Sequence, residues 1–158
     1  MSSPTTWLTG IWGSDMAAFT YTQKVMFQHC DPAGIVFYPR YFEMVNATVE
    51  EWFDQVIGFG FPTMHGPMKV AVPTAALSVA FTAPSKLGDV LEFCLIPTRI
   101  GRSSLELEIT ARSGAEQRLK TTVTLVFTKH GAGKSVAWPD DLRAKIEKEI
   151  NQVVENNA

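Results

Sequence analysis

A chain of 158 residues, 46% hydrophobic and 19% charged, has the size and composition of one globular domain with a core of its own. A formal charge of −2 with scattered Lys and Arg excludes a polyanion-binding surface, so no nucleic-acid partner is expected. No apolar run nears the roughly 20 residues that a bilayer span needs, and no Lys or Arg precedes Lys24, so the expectation is a soluble, cytoplasmic protein with no membrane partner.

Residues 1–18 open with MSSPTTWLTGIWGSD and follow neither the helical nor the strand period. They read as a loosely ordered arm, in which Met16 is a second plausible start and Trp7 and Trp12 are candidates to pack on a partner subunit. From Phe19 the chain alternates, with Phe19, Tyr21, Gln23, Val25 and Phe27 on one side, which predicts a half-buried strand. After the loop HCDPAGIVFYPRYF, the residues Phe42, Val45, Val49, Trp52, Phe53 and Val56 recur at helical spacing. They predict a helix of about 17 residues from near Pro39, stopped by GFGFP.

Four more alternating runs follow: Leu77–Phe81, Leu91–Leu95, Leu105–Ile109 and Leu119–Phe127, separated by APSKLGD, IGRS and RSGAE. Short links of this kind predict antiparallel neighbours. The stretch WPDDLRAKIEKEINQVV carries Leu142, Ile146, Ile150 and Val153 in a narrow stripe, a peripheral amphipathic helix. The division expected is an arm over 1–18, one domain over 19–130, and a loop and helix over 131–158. One antiparallel sheet of about five strands covering one long helix is an α+β layer fold, and its bare edges predict self-association.

The loop HCDPAGIVFYPRYF sets the functional question. Asp31 precedes Pro32, and Gly34 follows, so one reading has Asp31 capping a turn by accepting backbone N–H groups. The other starts from Ile35, Val36, Phe37 and Tyr38: a carboxylate at the edge of that apolar group is a usable base or nucleophile, and the aromatic lining suits an aryl or acyl ligand. A helix starting near Pro39 is expected to aim unsatisfied N–H groups at the loop, where a carbonyl oxygen gaining charge would meet them. One carboxylate with one oxyanion donor is too little for amide hydrolysis, because an amine leaves only when protonated. Thiols ionise near pKa ~8.5 and leave as thiolates unaided, so the chemistry that fits is thioester cleavage.

The segment DPAGIVFYPRYFEMVNA resembles that of hotdog-fold acyl-CoA thioesterases of the 4-hydroxybenzoyl-CoA thioesterase and YbgC-like type, and FTAPSKLGDVLEF resembles the family's turn into its third strand. The likeness runs over roughly 19–129. It implies a hotdog fold that dimerises and often forms homotetramers, a site at a subunit interface, an acyl-CoA substrate and no cofactor. By the same resemblance Asp31 is the catalytic aspartate, as nucleophile or general base, and a backbone N–H at Ala71, with Val72 beside it, polarises the thioester carbonyl; the family's reference enzyme has glycine where this chain has Ala71. Of the basic residues near IGRS that would hold coenzyme A phosphates, Arg102 fits best, Arg99 and Lys129 less well.

His29 stands where many relatives carry an acid; along a strand it would share a face with Asp31, either steadying it or contacting substrate, or it is a plain surface histidine. HCD is a poor metal motif, since neighbours on a strand diverge, and no metal is expected. Phe37, Tyr38, Phe59 and Phe61 are pocket candidates, Trp52 and Phe53 core aromatics, and Glu50 and Glu51 a solvated or interface face of the helix rather than its catalytic acids. His65, with Met64 and Met68, lies on a flap that adapts to substrate or on a plain loop. Two further readings stay open: a hotdog enoyl-CoA hydratase or dehydratase, which needs a His soon after Asp31, and a non-catalytic module binding an acyl-CoA or aromatic ligand.

Overall fold

The computed structural model describes residues 18–131 and 133–156; apart from Ala18, the expected arm lies outside the described residues. In chain order the elements are β1 (Phe19–Lys24), α1 (Pro39–Trp52), α2 (Phe61–His65), β2 (Val70–Ala71), β3 (Thr74–Phe81), β4 (Val90–Ile100), β5 (Ser104–Ser113), β6 (Glu116–Val126), β7 (Thr128–Lys129) and α3 (Asp140–Asn156). Five strands form one antiparallel sheet in the order β1-β4-β5-β6-β3, and β2 pairs with β7 in a separate two-stranded ribbon. This is the α+β arrangement expected from the alternating runs.

Alternation sets what the sheet buries. Phe93 and Leu95 of β4, Leu107 and Ile109 of β5, and Leu119 and Val123 of β6 are almost wholly enclosed. They pack in one core with Tyr41, Met44, Val45, Val49 and Trp52 of α1. The buried face of α1 is turned slightly from the predicted stripe, since Phe42 and Val56 are only half-buried. Thr48, enclosed among these apolar residues, donates to Met44 O at 2.8 Å, which removes the cost of an unpaired buried hydroxyl. Past Trp52 the helix widens into a π turn, Phe53–Ile57, and Gly58 ends it with φ of 74°. α3 closes over the far end of the sheet: Leu142 and Ile146 join the core, and Trp138, unremarked in the sequence, stacks on Phe127 at 4.7 Å.

β1 stops at Lys24, opposite Val90. The next residue, Val25, donates to Asp89 O at 2.7 Å and accepts from Gly88 N at 2.9 Å, and Phe27–His29 then wind into a 3-10 turn. Phe27, expected on the buried side of a continuing strand, is therefore 84% exposed. α2, β2 and β7 were not foreseen, being too short to show a period.

One connection differs from the tight turns. β3 and β4 lie on opposite sides of β5 and β6, so residues 82–89 must cross the end of the sheet. Arg118 holds this crossing: its Nη1 donates to Pro84 O at 3.0 Å and to Asp89 Oδ2 at 2.8 Å. Asp89 Oδ2 also accepts Lys86 N–H at 2.9 Å. The Lys86 amide first, and the Arg118 guanidinium next, hold the Asp89 carboxyl below its ordinary range, against the opposing effect of burial.

Two outcomes are expected. Phe93→Ala should cost about 3–5 kcal/mol in urea unfolding at fixed protein concentration, a large share of a domain's stability. A carboxyl with a lowered folded pKa contributes stability above its unfolded value and loses it as pH falls through the folded one. Thermal melts of wild type and Asp89→Asn should therefore differ by a constant amount above about pH 5 and converge in stronger acid.

Candidate active site

Asp31 sits in a tight turn that its own side chain helps to close. Asp31 O accepts Gly34 N–H at 2.9 Å, Oδ1 accepts Ala33 N–H at 2.9 Å, and Gly34 takes φ of 79°, which glycine adopts without strain. The capping reading is thus realised in the structure. A bond of this kind contributes about 1 kcal/mol and occupies one carboxylate oxygen; among the described residues none reaches Oδ2. The half-buried carboxylate lines a cleft of about 440 Å³ with Phe27, Cys30, Pro32, Gly34 and Leu87. Phe27 and Leu87 were not anticipated. For Leu87 there was a signal, a large apolar residue inside the polar turn SKLGD.

The outer walls of this turn come from the crossing segment. Val36 N–H donates to Ser85 O at 2.9 Å, Ile35 pairs with Lys86 in an antiparallel bridge, and Asp31 N–H donates to Ile35 O at 2.9 Å. Tyr41 OH donates to the enclosed Ser85 Oγ at 2.9 Å, tying the start of α1 to the same segment.

Two expectations at this end need correction. His29 neither lies on a strand nor stands at the surface; it ends the 3-10 turn, is 6% exposed, and its Nδ1 accepts Met26 N–H at 2.8 Å. That bond engages the ring with the chain's own backbone, so the shared-face argument linking it to Asp31 does not hold. Nor does α1 aim spare N–H groups at the loop. Pro39 has none, Arg40 N–H donates to Phe37 O at 2.8 Å, and Tyr41 N–H donates to Tyr38 O at 3.2 Å.

Phe37 and Tyr38 are well exposed, their ring centroids 5.6 Å apart. Tyr38 lines a second, apolar cleft of about 370 Å³ with Ile35, Val36, Tyr41 and Phe81. The rings of Tyr38 and Tyr41 stand 6.3 and 5.6 Å from that of Phe81.

The other candidates gather at the opposite end of the sheet. Lys24 opposite Val90 places the Asp31 end at the start of β4, whereas Arg99 and Arg102 flank its finish, about 30 Å away along an 11-residue strand. Arg102 O accepts Trp138 N–H at 3.0 Å, and Ser103 O accepts Phe127 N–H at 2.7 Å, which puts Lys129 and its ribbon beside this turn. Both arginines and Lys129 are exposed. Ala71 faces Thr128 in that ribbon. His130 N–H to Lys69 O and Val126 N–H to Pro73 O bracket this pair, and hydrogen-bonded pairs recur at every second residue. The register therefore turns the Ala71 N–H into its own ladder and the N–H of Val72 away from it.

Around the helix, Glu50 is exposed, Glu51 accepts from Gln55 Nε2, and Trp52 and Phe53 are core. Phe59 and Phe61 are half-buried and packed on that core. His65 lies against Phe61 and, at 6.1 Å, against His130, on the ribbon side and away from Asp31. Met64, expected on an adaptable flap, is wholly enclosed in the core instead, while Met68 is exposed. Among the described residues no group of three His, Cys, Asp or Glu could hold a metal, and no helix is long and apolar enough to cross a membrane.

Comparison with known proteins fits this architecture. A crystal structure of a thioesterase superfamily protein from Jannaschia sp. CCS1 superposes with a TM-score of 0.77 at 26% identity, covering 83% of this chain and 92% of that one. A 1,4-dihydroxy-2-naphthoyl-CoA thioesterase from Synechocystis superposes with a TM-score of 0.74 at 21% identity, covering 82% and 95%, and so shares the hotdog fold. In sequence the chain is 31% identical over 90 residues to a 1,4-dihydroxy-2-naphthoyl-CoA hydrolase from Nostoc punctiforme; the match takes in 57% of this chain and 60% of that relative's length. The family profile described as the thioesterase superfamily matches residues 33–120, from the Asp31 turn to the middle of β6, and the chain belongs to that superfamily.

Proposed function

We propose that this protein hydrolyses an acyl-CoA thioester, with an aryl acyl group favoured, and that Asp31 carries the chemistry at an interface between two subunits. The observation that carries this reading is the Asp31 turn itself: a carboxylate fixed by one oxygen, with the other uncommitted, at the mouth of an apolar cleft. The names of the Nostoc and Synechocystis proteins, both acting on a bicyclic aryl-CoA, favour the aryl group, and so do the exposed rings of Phe27, Phe37 and Tyr38.

Asp31 acts by one of two routes. As a base it takes a proton from water, and the hydroxide adds to the thioester carbonyl. As a nucleophile it adds directly and forms an anhydride that water then opens. In both, the C–S bond breaks, coenzyme A leaves as a thiolate, and one water is consumed. The N–H of Val72, turned out of the ribbon, is better placed than that of Ala71 to meet the developing oxyanion, and Arg102, Arg99 and Lys129 are the basic groups for the nucleotide phosphates. No cofactor enters either route.

These groups lie about 30 Å from Asp31 along the sheet, so a second copy must supply them. The β3 edge supports that assembly. Among the described residues β3 is unpaired on one side; it carries no charge from Thr74 to Phe81 and exposes Leu77 and Phe81, features that soluble edges otherwise avoid. β3 runs from the Ala71 end to the Asp31 end. Antiparallel pairing of two β3 edges about a two-fold axis sets the Asp31 end of one subunit beside the Ala71 end of the other. Catalysis by a homodimer, or by a homotetramer built from two such dimers, follows. The hydratase reading needs a His soon after Asp31 in the chain, and the next one is His65, 34 residues on.

The test is a thiol-release screen over aryl, short-chain and long-chain acyl-CoAs. Asp31→Ala should abolish release, a fall of at least about a hundredfold, with oligomer size and melting unchanged; near-normal turnover in that variant would reject the assignment. In a single turnover in ¹⁸O-water, label in Asp31 establishes the nucleophilic route with water opening the anhydride at the Asp31 carbonyl; opening at the substrate carbonyl labels the product, as the base route does.

A further inference from the structure

Arg118 does more than its sequence position suggests. By alternation with Leu119 and Lys120 it belongs on the exposed face of β6, yet Arg118 and Leu119 are both buried. The cause is a bulge: Ala111 faces Leu119 and Arg112 faces Gln117, so Arg118 is the extra residue on its strand. Such a bulge re-aims one side chain without moving the rest of the ladder.

What it aims at is the crossing segment, which it grips at both ends. Arg118 O accepts Thr82 N–H at 2.9 Å, while Nη1 donates to Pro84 O and to Asp89 Oδ2, and Nε lies 2.9 Å from Glu116 Oε1. Between those grips lie Ser85 and Lys86, the two residues that hold Val36 and Ile35, and Ile35 O holds Asp31 N–H. The path from Arg118 to Asp31 is therefore continuous: guanidinium to the segment, segment to Ile35 and Val36, Ile35 to the Asp31 backbone. Local bonds fix the shape of the Asp31 turn, and this path ties the turn to the crossing segment and so to the start of β4.

We propose that Arg118 is a positioning residue for Asp31, clamping residues 82–89 so that they hold the Asp31 turn in register with the rest of the site. The proposal rests on the reading that Asp31 does the chemistry. Arginine suits the place because one planar fork reaches Asp89, Pro84 O and Glu116 together; lysine offers a single ammonium.

The experiment compares wild type with Arg118→Gln, Arg118→Lys and Asp31→Ala by steady-state thiol release from an aryl-CoA and by amide hydrogen exchange. For Arg118→Gln, kcat per folded protein should fall between about tenfold and a hundredfold while KM changes less than about threefold, the pattern of a misplaced reacting group. Arg118→Lys should fall in between, and it supplies the readout if the Gln variant does not fold. In both Arg118 variants the amides of Asp31 and Val36 should exchange faster, by about tenfold for the loss of one charged hydrogen bond, with those of Leu142 and Ile146 in α3 unchanged.

A purely structural role would lower the melting temperature but leave kcat of the folded protein intact, and that result overturns the proposal. Unchanged exchange at Asp31 and Val36 overturns it as well, whatever the turnover. If Asp31→Ala keeps full activity, the reading of Asp31 as the reacting group fails, and the exchange arm alone then upholds or overturns the clamp.

Discussion

One apolar helix has to be covered by one antiparallel sheet, and most of the structure follows from that constraint. α1 buries Tyr41, Met44, Val45, Val49 and Trp52 against β4, β5 and β6, whose inward side chains are nearly all enclosed. Five strands reach further than one helix can cover. The surplus falls at β3, where Leu77 and Phe81 pair with Val123 and Leu119 on the helix-facing side yet stay open to solvent. At roughly 25 cal/mol per Å² of apolar area removed from water, covering this edge is a substantial drive to association. The bare edge and the adjoining Tyr38–Phe81 cleft have one origin.

The same constraint explains why one chain separates its own candidate site residues. Covering the helix with five strands places β3 and β4 on opposite sides of β5 and β6, and β4 then spans the whole sheet between Asp31 and Arg102. A single subunit has an acid at one end and basic groups with an outward N–H at the other. Under the proposed two-fold axis beside β3 unlike ends would come together, and the separation that leaves one subunit incomplete would complete two sites in a dimer.

How far these features could be read from the sequence depends on whether a period or a long-range contact creates them. The helix and the inner residues of β4, β5 and β6 repeat over enough positions for periodicity to fix them, and the family likeness of the Asp31 segment singled out its acid. His29 was misread because Val25 and Phe27 extend the alternation of β1. The strand in fact ends when Val25 takes its hydrogen bonds from Gly88 and Asp89, some 60 residues further on. Met64 was misplaced because a five-residue helix gives no stripe from which to judge its buried side. The register that turns the Ala71 N–H into its ladder depends on Thr128, and no local pattern contains it.

The bulge at Arg118 shows where periodicity ends and geometry begins. An extra residue in one strand is defined only by its partner, here Ala111 and Arg112, so β6 read alone keeps its alternation at Leu119, Thr121 and Val123 and conceals the shift. The shift takes a guanidinium that water would otherwise solvate and leaves it 11% exposed among Pro84 O, Asp89 and Glu116. Burying a cation unpaired would be strongly unfavourable, and an ion pair at the surface is worth about 1 kcal/mol or less, so neither extreme accounts for this arrangement. A partly buried cation that donates to Pro84 O and to the Asp89 carboxylate, with Glu116 beside its Nε, fixes both ends of the segment to β6. Rigidity of that kind is of little use at a hairpin tip. It matters where the segment is the wall against which a carboxylate must be set.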